Sequence, residues 1–108
     1  MVTPKRLIEG SQLTAAAATY YTAPALTTTR IRKLVFTNTT AGAVAVSLYL
    51  VPAAGAAAAT NIIWSAKSIA AGQTAECYEA EGHVLAPGDF IQALGLNVTI
   101  TASGDEIV

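Results

Sequence analysis

The stretch Ala41–Ala59, AGAVAVSLYLVPAAGAAAA, contains no charged residue. It reads either as a membrane-spanning helix or as a strand followed by a loop, and the fold class follows from that choice. A spanning helix needs about 20 strongly apolar residues. This stretch has the length without the content. Much of it is Ala, Pro52 interrupts it, and neither flank carries the Lys/Arg bias that marks a membrane boundary. Within Ala43–Val51 the bulky residues Val44, Val46, Leu48 and Leu50 share one parity, and Ala43, Ala45, Ser47 and Tyr49 share the other. A period of two with branched side chains on one side is the pattern of a strand with one face in a core. Pro52 cannot donate to a continuing ladder. The stretch is therefore strand, stop, loop.

The same pattern extends in both directions. Lys5–Glu9 is a short strand closed by Gly10-Ser11, and Ala18–Pro24 is a second. Thr29–Asn38 (TRIRKLVFTN) is a long strand. Its Arg30, Arg32, Leu34, Phe36 face turns from charged to apolar, which predicts that one end leaves the core. Thr37–Gly42 is turn material and predicts a hairpin with the next strand. Asn61–Ile69, Thr74–Ala80, Asp89–Gly95 and Asn97–Ala102 are further strands, with Ser103–Asp105 read as a turn. Ala70-Ala71-Gly72-Gln73 and Ala86-Pro87-Gly88-Asp89 look like two uses of one turn chemistry. About eight short strands, with no helical period over several turns, predict an all-β protein. The expected form is a single antiparallel β-sandwich or jelly-roll domain over residues 1–108, with residues 1–11 as a possible N-terminal arm.

Composition limits function. Charged residues make up 12% of the chain, against about 25% in ordinary soluble domains. So little charge fits a surface covered by copies of itself or by other subunits. The charges are segregated. All six basic residues (Lys5, Arg6, Arg30, Arg32, Lys33, Lys67) and one acid (Glu9) lie in residues 1–67. Six acids and no base follow. Either the two segments meet within one sandwich, or a positive face of one copy meets a negative face of the next, or the charges are scattered and solvated, where exposed pairs add little energy. There is no basic excess for nucleic acid. The N-terminal MVTPKRLIEG does not resemble a secretory signal, so the Asn38-Thr39-Thr40 and Asn97-Val98-Thr99 sequons read as accidental.

No catalytic constellation is legible. His83 is the single imidazole and sits beside a turn, and Cys77 is the single thiol and reads as a buried apolar side chain. Glu76, Glu79 and Glu81 form an acidic cluster without a calcium-loop pattern. No catalytic, cofactor or metal residue is assigned, and an enzyme is not expected. The candidate interface residues are Arg30, Arg32, Lys33, Glu76, Glu79 and Glu81 for charge, and Tyr49 and Trp64 for aromatic packing.

Arg6–Pro24 (RLIEGSQLTAAAATYYTAP), Phe36–Pro52 (FTNTTAGAVAVSLYLVP), Ile69–Thr74 (IAAGQT), Glu79–Leu94 (EAEGHVLAPGDFIQAL) and Val98–Val108 (VTITASGDEIV) together resemble small structural proteins of tailed bacteriophages and prophages. The resemblance rests on strand and turn order over nearly the whole chain. It implies a non-enzymatic β-sandwich virion protein, assembled in the bacterial host cytoplasm. Such a protein acts as a homo-oligomer on major capsid or tail subunits, without nucleic-acid or membrane partners. Capsid decoration is the leading role, and a tail or fibre connector is the next. A carbohydrate-binding sandwich is the rival from another class. It predicts Trp64 or the tyrosines exposed in a groove.

Overall fold

A computed structural model describes residues 1–108. Nine strands form, and no helix: β1 (Val2–Gln12), β2 (Ala18–Thr22), β3 (Thr28–Asn38), β4 (Val44–Val51), β5 (Ile62–Ile69), β6 (Thr74–Glu76), β7 (Val84–Leu85), β8 (Phe90–Leu94) and β9 (Val98–Ile107). One sheet has the order β1-β9-β3-β6, with β7 also on β3, and the other the order β2-β8-β4-β5. Strands β6 and β7 occupy two halves of one edge, pairing with Val35–Thr37 and with Thr29–Arg30 of β3. Counted so, the strands pair in nested fashion: β1 with β9, β2 with β8, β3 with β6/β7, and β4 with β5. The chain is a long antiparallel ribbon folded over on itself, the jelly-roll form of the sandwich. Both sheets face one cluster of 20 buried residues.

The parity read in β4 holds. Val46 and Leu48 are in the core, with Val44 and Leu50 packed against it. Tyr49 and Val51 lie on the opposite face, where Val51 is buried outside the core cluster. The two similar turns also form as read. Gln73 N donates to Ala70 O and Asp89 N to Ala86 O, and Gly72 and Gly88 supply the positive φ that the third position needs.

Five readings need correction. Thr37–Gly42 does not close a hairpin, because β3 and β4 lie in different sheets. The buried Asn38 side chain turns the corner instead. Its Nδ2 donates to Gly42 O and Ile69 O, and its Oδ1 accepts from Thr40 N. Strand β3 does not leave the core. A bulge between Ile31 and Lys33 resets its phase, so Ile31, Leu34 and Phe36 all point inward. Ser103–Asp105 is no turn but the middle of β9. The strand expected over Thr74–Ala80 ends at Glu76, and Cys77–Glu81 turns back on itself through Ala80 N to Cys77 O and Glu81 N to Tyr78 O. Finally, the N-terminal segment is not a loose arm. It is an 11-residue edge strand paired with β9 from Val2 to Gln12.

Candidate functional site

Every ladder in the molecule joins a strand of the β1–β4 half to one of the β5–β9 half. The basic first part of the sequence is thereby laid against the acidic second part within one chain. Arg30 and Arg32 both donate to Asp105 Oδ2, at 2.9 and 3.1 Å. Lys33 lies 3.8 Å from Glu76, and Lys5 3.5 Å from Glu106. Of the arrangements open to the sequence, this structure realises the intramolecular one. Asp105 is the hub. Its side chain is 4% exposed, under guanidinium groups that are 45% and 62% exposed. Hydrogen bonds from Arg30 and then Arg32 hold its carboxyl below the usual range.

Backbone irregularities arrange this face. Both neighbours of β9 bulge at one level, β1 between Arg6 and Ile8 and β3 between Ile31 and Lys33. Ser103 is the common partner of Arg6 and Lys33. The β3 bulge leaves Arg32 and Lys33 both exposed, and the β1 bulge leaves Leu7 and Ile8 both buried. Gly104 sits between the bulges, where an added Cβ would collide with the Arg30 carbonyl oxygen. The β3 bulge also opens a gap in the edge ladder. Cys77 N bonds Leu34 O and Ile31 N bonds His83 O. Between these bonds, Leu34 N is met by the Glu81 carboxylate, with Oε2 accepting at 3.3 Å. Burial, and next a hydrogen bond with Glu76, push the Glu81 carboxyl up.

The acidic cluster is therefore divided. Glu76 and Glu81 meet beside β3, whereas Glu79 Oε1 accepts from Trp64 Nε1 at 2.6 Å, a bond that lowers the Glu79 pKa. Trp64 is 7% exposed. Its ring lies 5.3 Å from that of Phe36 across the sandwich, and Lys67 Nζ sits 5.8 Å from its centroid. Trp64 ties β5 to β3 and to the β6–β7 connection. It is a cross-sheet anchor, not the exposed groove aromatic that a sugar-binding reading needs. Burial pushes the Cys77 thiol up to about 11, so it stays protonated at neutral pH. His83 is exposed, and no hydrogen bond joins it to Cys77. No group of three or more His, Cys, Asp or Glu side chains comes together as a metal site.

Tyr49 lies half-buried on the outer face of the other sheet, in register with Gln92 on β8, which faces Thr19 on β2. Gln92 Nε2 donates to Thr19 Oγ1. This row of Tyr, Gln and Thr is uncharged. The candidate residues thus fall in three places: Arg30, Arg32, Lys33 and Glu76 on the charged face, with Glu81 at its edge; Trp64 and Glu79 in the anchor; and Tyr49 on the uncharged face. Two sets of residues were not singled out from sequence. One is Asp105. The other is the inter-sheet bridge in which Tyr21 OH donates to Glu106 Oε2 at 2.6 Å and lies 2.7 Å from Thr29 Oγ1. Asp105 and Glu106 are the only acids of the closing segment, which is the signal that opposes them to the basic strands.

No protein-family model and no curated protein matches the chain. Among solved structures it is similar to a chain in the structure of infectious bursal disease virus Gx strain, with 18% sequence identity and a TM-score of 0.47. The match covers 98% of this chain and 30% of that one, so this chain spans under a third of that chain's length.

Proposed function

We propose that the protein is a non-enzymatic structural component of a bacteriophage particle, a capsid decoration protein that works by packing against copies of itself and against other virion subunits. The observation that carries this reading is the uncharged sheet. Strands β2, β8, β4 and β5 contain one charged residue, Lys67, and their outer face presents Tyr49, Gln92 and Thr19. Such a face is weakly hydrated and costs little to cover. The loop beyond β4, Pro52–Thr60, adds a further exposed stretch of Ala and Gly. A standard interface buries about 800 Å² per partner, roughly a seventh of the 5494 Å² of accessible surface. The jelly-roll order supports the same reading, being an architecture used by viral capsid proteins, although lectins and cupins share it. The strand and turn order resembles phage structural proteins of head and tail alike, and within that class head decoration is the first reading and a tail or fibre connector the second.

The test is native mass spectrometry of the chain over a range of concentrations, with Tyr49→Glu beside it. Sedimentation with purified phage heads and, separately, tails accompanies it. The expected result is an oligomer that Tyr49→Glu reduces to monomer, and co-sedimentation with heads. A strictly monomeric chain that stays in the supernatant with both particles sinks the proposal.

A further inference from the structure

We infer that the outer face of β1-β9-β3 is a docking surface for an acidic, Asp/Glu-bearing segment of a protein partner. Four cations stand on this face: Arg6 on β1, and Arg30, Arg32 and Lys33 on β3. They flank the low floor of Ser103 and the glycine beside it. Glu76 and Glu9, with Glu81 at the edge, stand farther along the face, and around Ser103 the cations Arg6, Arg30 and Arg32 stand against Asp105 alone, a local excess of two positive charges. Lys5, at the rim, is paired with Glu106. Arg6 is exposed and makes no ion pair within the chain. Arg6, Arg32, Ser103 and Asp105 line one open depression.

The geometry favours binding, not mere exposure. Each guanidinium has five N–H donors, and Arg30 and Arg32 are each seen spending one nitrogen on the same oxygen of Asp105. The buried carboxylate fixes them at one end and leaves donors turned outward. A partner carboxylate meets groups already ordered, so less side-chain freedom is lost on binding. The interleaved acids decide the class of partner. Nucleic acid binding draws on the release of many counterions from a strongly basic surface, and an excess of two charges supplies little of that. Alternating signs instead suit a polypeptide whose carboxylates fall opposite the arginines and whose other side chains avoid Asp105 and Glu76. This inference goes beyond the assembly role and does not need it, since the two sheets present their outer faces on opposite sides of the sandwich.

The experiment measures fluorescence anisotropy of a fluorescein-labelled peptide of alternating Glu and Ser with the full chain. The arms are low salt, about 0.5 M salt, Arg6→Glu/Arg32→Glu, the milder Arg6→Gln, and Lys67→Gln on the other sheet. Thermal melts check that each variant folds. The expected result is saturable binding at low salt, weakened by salt, weakened about tenfold or more by the double reversal, weakened less by Arg6→Gln, and unchanged by Lys67→Gln. No anisotropy change with the unmodified chain at low salt overturns the inference. So does equal binding by folded Arg6→Glu/Arg32→Glu. A labelled single-stranded oligonucleotide that binds more tightly than the peptide, and responds to the same substitutions, overturns the class of partner. Tyr49→Glu should leave peptide binding intact, so a failed docking surface and a failed assembly face give different results.

Discussion

Strands β1, β9, β3 and β6 hold Lys5, Arg6, Glu9, Arg30, Arg32, Lys33, Glu76, Asp105 and Glu106, whereas β2, β8, β4 and β5 hold only Lys67. The two sheets share one core and contribute to it about equally. Both are irregular, and they differ in what the bulges carry. In the uncharged sheet the extra residues fall on β2 and β5, while β4 keeps Val44, Val46, Leu48 and Leu50 on the core side. In the charged sheet two strands bulge beside Ser103 and Gly104, and the bulges bring charged side chains onto one face. The difference teaches that a bulge gathers charge onto one face where the sequence supplies a charged run, as Arg30–Lys33 does in β3. A regular β3 would send alternate members of the Arg30–Lys33 run inward. The bulge lets Arg30, Arg32 and Lys33 all stay out while Ile31 and Leu34 go in.

The comparison breaks most completely at Gly104. Its replacement by Val puts atoms on the Arg30 backbone carbonyl, which cannot rotate away. The expected loss exceeds about 5 kcal/mol, comparable to the whole stability of a small domain. The check is recovery of soluble, cooperatively melting protein. Ordinary recovery would mean that the paired bulges are not fixed by close approach of β3 to β9.

Trp64→Ala tests the uncharged sheet at its anchor. It removes the Phe36 contact and the Glu79 hydrogen bond, and it should cost about 3–5 kcal/mol in urea unfolding. Trp64→Phe keeps the ring and should cost about 1–2 kcal/mol. A loss below about 1 kcal/mol for Trp64→Ala would show that β5 is held by its ladder alone.

Asp105→Asn returns to the charged sheet. It leaves Arg30 and Arg32 without their shared carboxylate, and the expected loss falls between those of Trp64→Ala and Tyr21→Phe. Its signature is the pH profile. Because the folded carboxyl titrates below its ordinary value, Asp105 stabilises the fold at pH values above the ordinary carboxylate range. That stabilisation is lost as pH falls through the folded pKa. Denaturation midpoints taken from neutral pH downward should decline less steeply in the variant. Parallel declines would remove Asp105 as the hub.

Tyr21→Phe cuts the bridge between sheets and should cost about 1 kcal/mol, since Thr29 and Glu106 each lose a partner. Burial, then the Glu106 bond, push the Tyr21 hydroxyl up to about 12. The unmodified protein should therefore lose stability above about pH 10, as unfolded Tyr ionises first, and the variant should lose less. Equal alkaline slopes would place the source of that loss elsewhere.

How much of this was legible in the sequence follows the same division. Alternation placed β4 and its inward set Val44, Val46, Leu48 and Leu50, because β4 carries no extra residue of its own, and turn signals bounded β5 and β8. It failed at Arg30–Leu34 and at Ser103–Asp105, because a bulge adds one residue without any local marker and Gly104 looks like turn chemistry when it is a close-packing site. The Thr37–Gly42 turn was visible, but its direction was not. A corner between sheets and a hairpin within one use the same residues, and only the burial of Asn38 distinguishes them. Charge segregation was legible as a pattern. Its meaning needed the nested pairing, which brings Asp105 to Arg30 and Arg32, 75 and 73 residues away, and leaves no short-range trace. Tyr49 and Trp64 looked alike as candidate interface aromatics, yet one faces out and the other is sealed beneath Lys67 and Glu79.

The smallest effect belongs to Glu81, and it runs in the direction opposite to Asp105. Its carboxyl is pushed up by burial and by Glu76, so between the ordinary Glu value and the raised one the folded chain binds more protons than the unfolded chain. Stability contributed by this group is present at low pH and fades as pH rises through the folded pKa. Glu81→Gln keeps an oxygen acceptor for Leu34 N and removes the charge facing Glu76. Its melting temperature should match the unmodified chain in mild acid and lie slightly above it at neutral pH, with the gap closing in high salt. A variant less stable at every pH would mean that the negative charge itself, drawn toward Lys33, holds the bulge closed. The repulsion between Glu76 and Glu81 would then be the lesser force on this edge of the charged sheet.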